Sequence, residues 1–225
     1  MNPSKPAGNF IGGGDEMLYR RFWILSLLSG VEEVGCSPIE LKRFNILAYL
    51  ANAVAKCYGV TPLDPTVLKE NDGPLYPELL WEIDRLVGMG LVIVSDIVVD
   101  RSKAVRNVSY SISARGLNCE SQCRALHREF SRIGDSLRSA AMAYSRNRLS
   151  LSIESLKSRD GNYADTTVAN GEVVDFGDWV NTNATANSID RLSKKIGQSL
   201  ESDPSVSVNI YNRYLAAFSA EGGAE

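Results

Sequence analysis

The sequence predicts a mostly α protein with a small β-hairpin, and three patterns carry that expectation. Apolar residues recur every three or four positions over several stretches, which is the helical period. Residues 91–94 and 97–99 are rich in Leu, Ile and Val, and Val108, Tyr110 and Ile112 alternate in the following run, as two paired strands would. The order helix, short helix, helix, hairpin makes the front of the chain winged-helix-like, followed by a long helix and a C-terminal helical region. The expected organisation is a flexible arm over 1–14, a winged-helix-like domain over 15–116, a long heptad-patterned helix over 117–158, and a loop plus C-terminal helices over 159–225.

The first helix is expected from Asp15 to Leu28, stopped by Gly30. Ser37, Pro38 and Glu40 read as a helix start, with Ser37 as cap and Glu40 closing a capping box. Phe44, Leu47, Leu50, Val54 and Cys57 share the face behind it, and Gly59 ends it. Asp64-Pro65 predicts a short helix to about Glu70, before a turn over Asn71-Asp72-Gly73-Pro74. Pro77 opens the next helix, with Leu79, Leu80, Ile83, Leu86 and Val87 inward and Gly88 closing it. The hairpin comes next, with Arg101, Lys103 and Arg106 at its tip.

Cys119, Cys123, Leu126, Phe130, Ile133, Leu137, Ala140 and Tyr144 are spaced 4, 3, 4, 3, 4, 3, 4. That register predicts one uninterrupted helix packed along one side. Beyond it, 159–186 reads as a polar loop anchored by Val173 to Phe176 and Trp179-Val180. Two tail stripes follow, Ile189-Leu192-Ile196-Leu200 and Ile210-Tyr214-Phe218. They are candidate partners for the long seam, and so is a second molecule.

With 225 residues, 44% apolar and 23% charged, the chain can bury one good core, or a smaller core plus an appended helical region. Disorder needs lower hydrophobicity and higher charge. No stretch is long enough to cross a bilayer. Four cysteines without a leading apolar segment do not read as a disulfide framework, and the expected location is cytoplasmic.

Charge is unevenly distributed. Residues 101–159 carry 12 basic and 4 acidic side chains, while 1–100 carry 8 and 13, and 160–225 carry 4 and 10. Heptad geometry turns Arg124, Arg128, Arg132, Arg138 and Arg146 outward. With Arg101, Lys103 and Arg106 they could follow a phosphate backbone or an acidic partner. The plain alternative is a solvated face partly neutralised by Glu120, Glu129 and Asp135.

Catalytic constellations find little support. His127 is the one histidine and lies inside the heptad helix, away from any loop or strand end where a triad would assemble. Cys119, Cys123 and His127 share a helix face, but a zinc site would need Cys36 or Cys57 as fourth ligand and matches no finger spacing. Gly12-Gly13-Gly14 lacks the strand and Lys of a phosphate loop. Asp175, Asp178 and Asp190 fit no calcium-loop spacing. The expectation is a protein that is not an enzyme and holds no cofactor or metal.

The helix from Pro77 offers Glu78, Trp81, Glu82, Asp84 and a single Arg85, where a DNA-reading helix would carry Arg, Lys, Asn or Gln. Three acids would repel phosphates. Tyr76, Trp81, Glu82 and Arg85 therefore stand as the candidate protein interface, with Tyr76 and Trp81 as aromatic anchors.

The run LYPELLWEIDRLVGMGLV, residues 75–92, followed by Tyr110-Ser111-Ile112-Ser113-Ala114-Arg115-Gly116, resembles the middle, accessory component of bacterial ABC three-component, Lamassu-type anti-phage and anti-plasmid defence systems. The likeness covers roughly residues 15–130. It implies a small non-catalytic subunit holding an SMC-like ABC ATPase and an effector, often a nuclease, in one complex, with possible DNA contact through the basic helix. The alternative from another class is a dimeric winged-helix DNA-binding transcription regulator.

Overall fold

The computed structural model describes residues 13–63, 66–99, 105–147, 151–161, 163–164, 168–175, 185, 187–189, 191 and 204–217. They are mostly helical, with two small antiparallel sheets.

Helix α1 (Gly13–Glu33) is apolar all round between Phe22 and Leu28, as a helix enclosed by others must be. All but one of those seven residues are large hydrophobics, and the remaining Ser26 is buried with them. The helix does not stop at Gly30. A Cβ there would sit 3.1 Å from Ala141 Cβ and 3.3 Å from the Arg138 backbone, so this glycine lets another helix cross closely.

The chain then reverses into β1 (Ile39–Glu40), which pairs with β5 (Val105–Ile112), Ile39 lying opposite Tyr110. Ser37 and Pro38 thus do not begin a helix. The ladder takes Ile39 into the core, and α2 (Leu41–Val54) starts one residue past the expected capping box. A short 3-10 turn (Ala55–Tyr58) ends it before Gly59.

The helix expected at 64–70 is a strand. β2 (Thr66–Glu70) folds back through Asn71-Asp72 onto β3 (Gly73–Leu75) and pairs on its other edge with β6 (Val173–Asp175). Val67 and Lys69 alternate inward, a period of two that five residues could not distinguish from a helical turn. The expected loop anchor at 173–176 is this strand as far as Asp175; Phe176, Trp179 and Val180 lie outside the described residues.

Helix α3 (Pro77–Gly88) and the strands β4 (Val92–Val99) and β5 follow the sequence reading, with Val108, Tyr110 and Ile112 buried. The first sheet runs β1-β5-β4, which leaves β4 as an edge. Its register slips between Ser95 and Val98, where Asp96 adopts φ +51°.

The heptad segment is two helices. α4 (Ala114–Leu126) and α5 (Arg128–Asn147) meet at His127, which is extended at φ −148°, ψ 137°. They pack on each other, and α5 is also flanked by α1, α2 and α7 (Pro204–Ala216), which makes it the central strut. Ile133, Leu137, Ala140 and Tyr144 are buried as the register requires, whereas Leu126 is 80% exposed. Ser113 caps α4 by accepting from Gly116 N–H. A Cβ at Gly116 would collide with the Leu91 carbonyl and lie 2.8 Å from Ile112 Cγ1, so α4 seats on the hairpin only because this position is glycine.

The tail docks through polar chemistry. Short helix α6 (Ile153–Arg159) ends at Asp160, which has no exposed surface. Its carboxylate accepts hydrogen bonds from the Tyr49 hydroxyl of α2, the Tyr211 hydroxyl of α7, Thr185 Oγ1 at 2.9 Å and the Tyr163 N–H at 2.7 Å. α7 therefore turns Val208, Tyr211 and Leu215 inward, with Ile210 only half-buried and Tyr214 on the outer side. That is one position off the expected stripe. Phe218 and Leu192, Ile196 and Leu200 lie outside the described residues, while Ile189 is buried.

Removing the carboxylate leaves two buried phenols and a buried hydroxyl without their acceptor. Asp160→Ala should lower unfolding stability by about 3 kcal/mol, read as a reduced urea midpoint. Burial first, and then the neighbouring charge of Asp160, raise both Tyr49 and Tyr211 above the ordinary value of 10.0. A raised folded pKa contributes stability that is whole below the unfolded value and falls as pH climbs past it toward the folded one. Unfolding free energy should therefore hold level to about pH 10 as far as these groups are concerned. Above that it should decline, and Tyr49→Phe should flatten the decline.

Candidate protein-binding site

Helix α3 is built to stand on the core with one flank open. Pro77 fits its first turn, Glu78 complements the positive N-terminus and Arg85 the negative C-terminus. Leu79, Ile83 and Leu86 fill the inner face.

Two of the four residues expected on the outer face are not there. Tyr76 is 1% exposed, and its hydroxyl accepts from Asn52 Nδ2 at 3.0 Å, so it belongs to the core. Glu82 is 3% exposed, bridged by Arg21 Nε of α1 at 2.6 Å and by Arg85. It clamps α3 to α1. Helical spacing alone could not show this, because the partner Arg21 lies on an element 61 residues away.

Trp81 does face outward, 67% exposed, with Arg85 beside it on the next turn. Exposed Met17 and Leu18 lie on α1, with Arg85 Nη1 3.7 Å from Met17 Sδ, and exposed Met89 follows the end of α3. Glu78 and Asp84 form an acidic rim, and Arg20 reaches Glu78 at 3.3 Å. An exposed indole one turn from a guanidinium that touches Met17, on a helix bearing exposed carboxylates, suits a protein with an apolar cleft and basic border. The sequence reading missed Met17 and Leu18; no periodicity marks them, since α1 is apolar along most of its length.

A separate apolar surface lies on the hairpin. Ile93, Ile97, Val98 and Val99 of edge strand β4 are exposed. The sequence identified this strand but not its exposure, nor that it is an edge with a strand neighbour on one side only.

The basic stripe is largely engaged within the chain. Arg124 pairs with Asp135 at 2.6 Å and lies over Gly134. Arg132 donates to the Tyr58 and Gly59 carbonyls at 2.8 and 3.1 Å, closing the 3-10 turn. Arg138 bonds Glu33 at 2.6 Å, which raises the guanidinium pKa further. Arg146 reaches Asn209 at 3.3 Å, and Arg128 is exposed. Arg101, Lys103 and the Arg106 side chain lie outside the described residues.

A shallow polar cleft is lined by Cys36, Ile39, Glu40, Arg43, Ser109 and Tyr144. The chain's one histidine, His127, accepts through Nδ1 from Glu129 N–H at 3.2 Å, at the start of α5. The four cysteines are half-buried and form no disulfide, and burial first, then its neighbour Cys119, raises the Cys123 thiol pKa. Among the described residues no three or more His, Cys, Asp or Glu side chains gather as metal ligands. Asp178 and Asp190 lie outside the described residues, as does the side chain of Asp175. No helix among them is long and apolar enough to cross a membrane.

Comparison with protein-family models, with curated proteins and with solved structures finds no match.

Because Arg132 closes the turn behind α2, Arg132→Ala should cost about 1 kcal/mol of stability, discounted for its exposure. Thermal denaturation of the purified variant measures it, and a purely solvated arginine would leave the midpoint unchanged.

Proposed function

We propose that this chain is a non-catalytic winged-helix accessory subunit that binds a protein partner through the outer face of α3. The carrying observation is Trp81, held 67% exposed on a helix whose other outward charged groups are Glu78, Asp84 and a single Arg85.

The winged-helix reading is supported by element order. Helix, strand, helix, helix, strand, strand, with the first strand pairing to the last, is the arrangement α1-β1-α2-α3-β4-β5 and its sheet order β1-β5-β4. The β2-β3 hairpin is then an insertion between α2 and α3. In a DNA reader of this plan α3 would enter the major groove. Its exposed Glu78, Asp84 and Trp81 offer a duplex little but repulsion. The engaged arginines of α4 and α5 likewise leave few free donors for phosphates on that flank.

The resemblance in residues 75–92 and 110–116 supplies the class of partner. We assign the chain to the accessory position of a multi-component defence complex, beside an SMC-like ABC ATPase and an effector. Its role there is to hold the two together.

Co-expression with the products of the adjoining genes should give a stable complex containing the ATPase. Trp81→Ala should weaken that complex about 30-fold, the loss of a central aromatic anchor, without moving the melting temperature of the isolated chain. Failure of the wild-type chain to co-purify with either neighbour would end this reading. Tight, sequence-selective binding of the isolated protein to its own promoter would replace it with the regulator.

A further inference from the structure

We propose that this chain forms a domain-swapped homodimer by straightening at His127, which joins α4 and α5 into one helix and delivers α5 to α7 to a second copy. The bend is not written into the local sequence. Ala125, Leu126, His127, Arg128 and Glu129 include neither glycine nor proline, and each accepts helical geometry readily. His127 is nevertheless extended.

The heptad register from Cys119 to Tyr144 runs through that bend without a slip, which only a continuous helix would use in full. In the folded chain its second half is buried and Leu126, at the break, stands in solvent. A helix terminus also leaves its end N–H and C=O groups without intrahelical partners. His127 Nδ1 serves one of these by accepting from Glu129 N–H, and the Arg124–Asp135 pair ties the two helices across the bend. The bend is therefore held by tertiary contacts and one side-chain cap.

Those contacts name the occupant. The segment before His127 and the segment after it meet chiefly where α1 and α2 pack on α5. Any foreign partner for the freed α5 would have to reproduce that surface. A second copy carries it already, down to the Gly30 notch that fits Ala141. In the exchanged form Ala114 to Asn147 is one rod about 50 Å long. Two such rods cross near their midpoints, each covering the other's Leu126, and the Arg124–Asp135 pair re-forms between copies.

The test refolds the full chain, His127→Ala, and a variant with Gly-Ser-Gly-Ser inserted after His127, at micromolar and at millimolar concentration. Each is then sized by light scattering. The wild type should give a dimer fraction that grows with refolding concentration and persists on dilution. His127→Ala loses the cap and gains helix propensity at two hinges per dimer, and should raise the association constant about a hundredfold. The insertion interrupts the rod and should return the protein to monomer. Monomer throughout for wild type and His127→Ala overturns the proposal. So does a dimer that survives the insertion, since that would be a surface contact. Should His127→Ala fail to refold, wild type against the insertion decides. The readout is mass alone, so it is independent of whether the accessory-subunit reading holds.

Discussion

Asp160 has no exposed surface, yet its carboxylate organises groups drawn from most of the chain. Tyr49 donates to it from α2, Tyr211 from α7, Thr185 from the segment between β6 and α7, and the Tyr163 backbone from just beyond α6. A buried carboxylate is costly unless each lone pair is met, so the arrangement is satisfied together or not at all. This makes the tail specific where apolar packing alone would be permissive: of the stripes Ile210-Tyr214 and Val208-Tyr211-Leu215, the second faces inward and sets the Tyr211 phenol on Asp160. The edge-on contact of Tyr49 with Tyr163 adds to the same cluster.

Much of the front half was legible because local and tertiary signals agree there. Pro77, the period of Leu79, Ile83 and Leu86, and the β-branched run from Val92 all point to one answer. The misreadings fall where they disagree. Five residues from Thr66 pair with a strand about a hundred positions later, and nothing within the five announces it. Ile39 and Glu40 are drawn out of a well-formed helix start by β5. Gly30 reads as a stop, and functions instead as a point of close approach between α1 and α5. The break at His127 has no local cause; it follows from α4 packing against both α1 and α5.

The candidate site divides the same way. Helical spacing brought Trp81 and Arg85 to the surface correctly, since both lie opposite the apolar stripe. It could not show that Glu82 would meet Arg21, or that Tyr76 would turn inward toward Asn52. Charge counts mislead for a related reason. The middle of the chain is strongly basic in composition, yet Arg124, Arg132 and Arg138 direct their guanidinium groups to Asp135, to backbone carbonyls and to Glu33. A positive count in sequence is thus spread into internal clasps between elements.

Strand β4 carries Ile97, Val98 and Val99 uncovered at a sheet edge, where unpaired amides invite further strands without limit. The kink at Asp96 and the slipped register beside it break the row of amides partway along. An incoming chain would find a ladder with a missing rung, able to hold a short segment but not to template a growing stack. A bent edge is one of the ways in which a sheet keeps apolar residues in water while discouraging the pairing that leads to fibres.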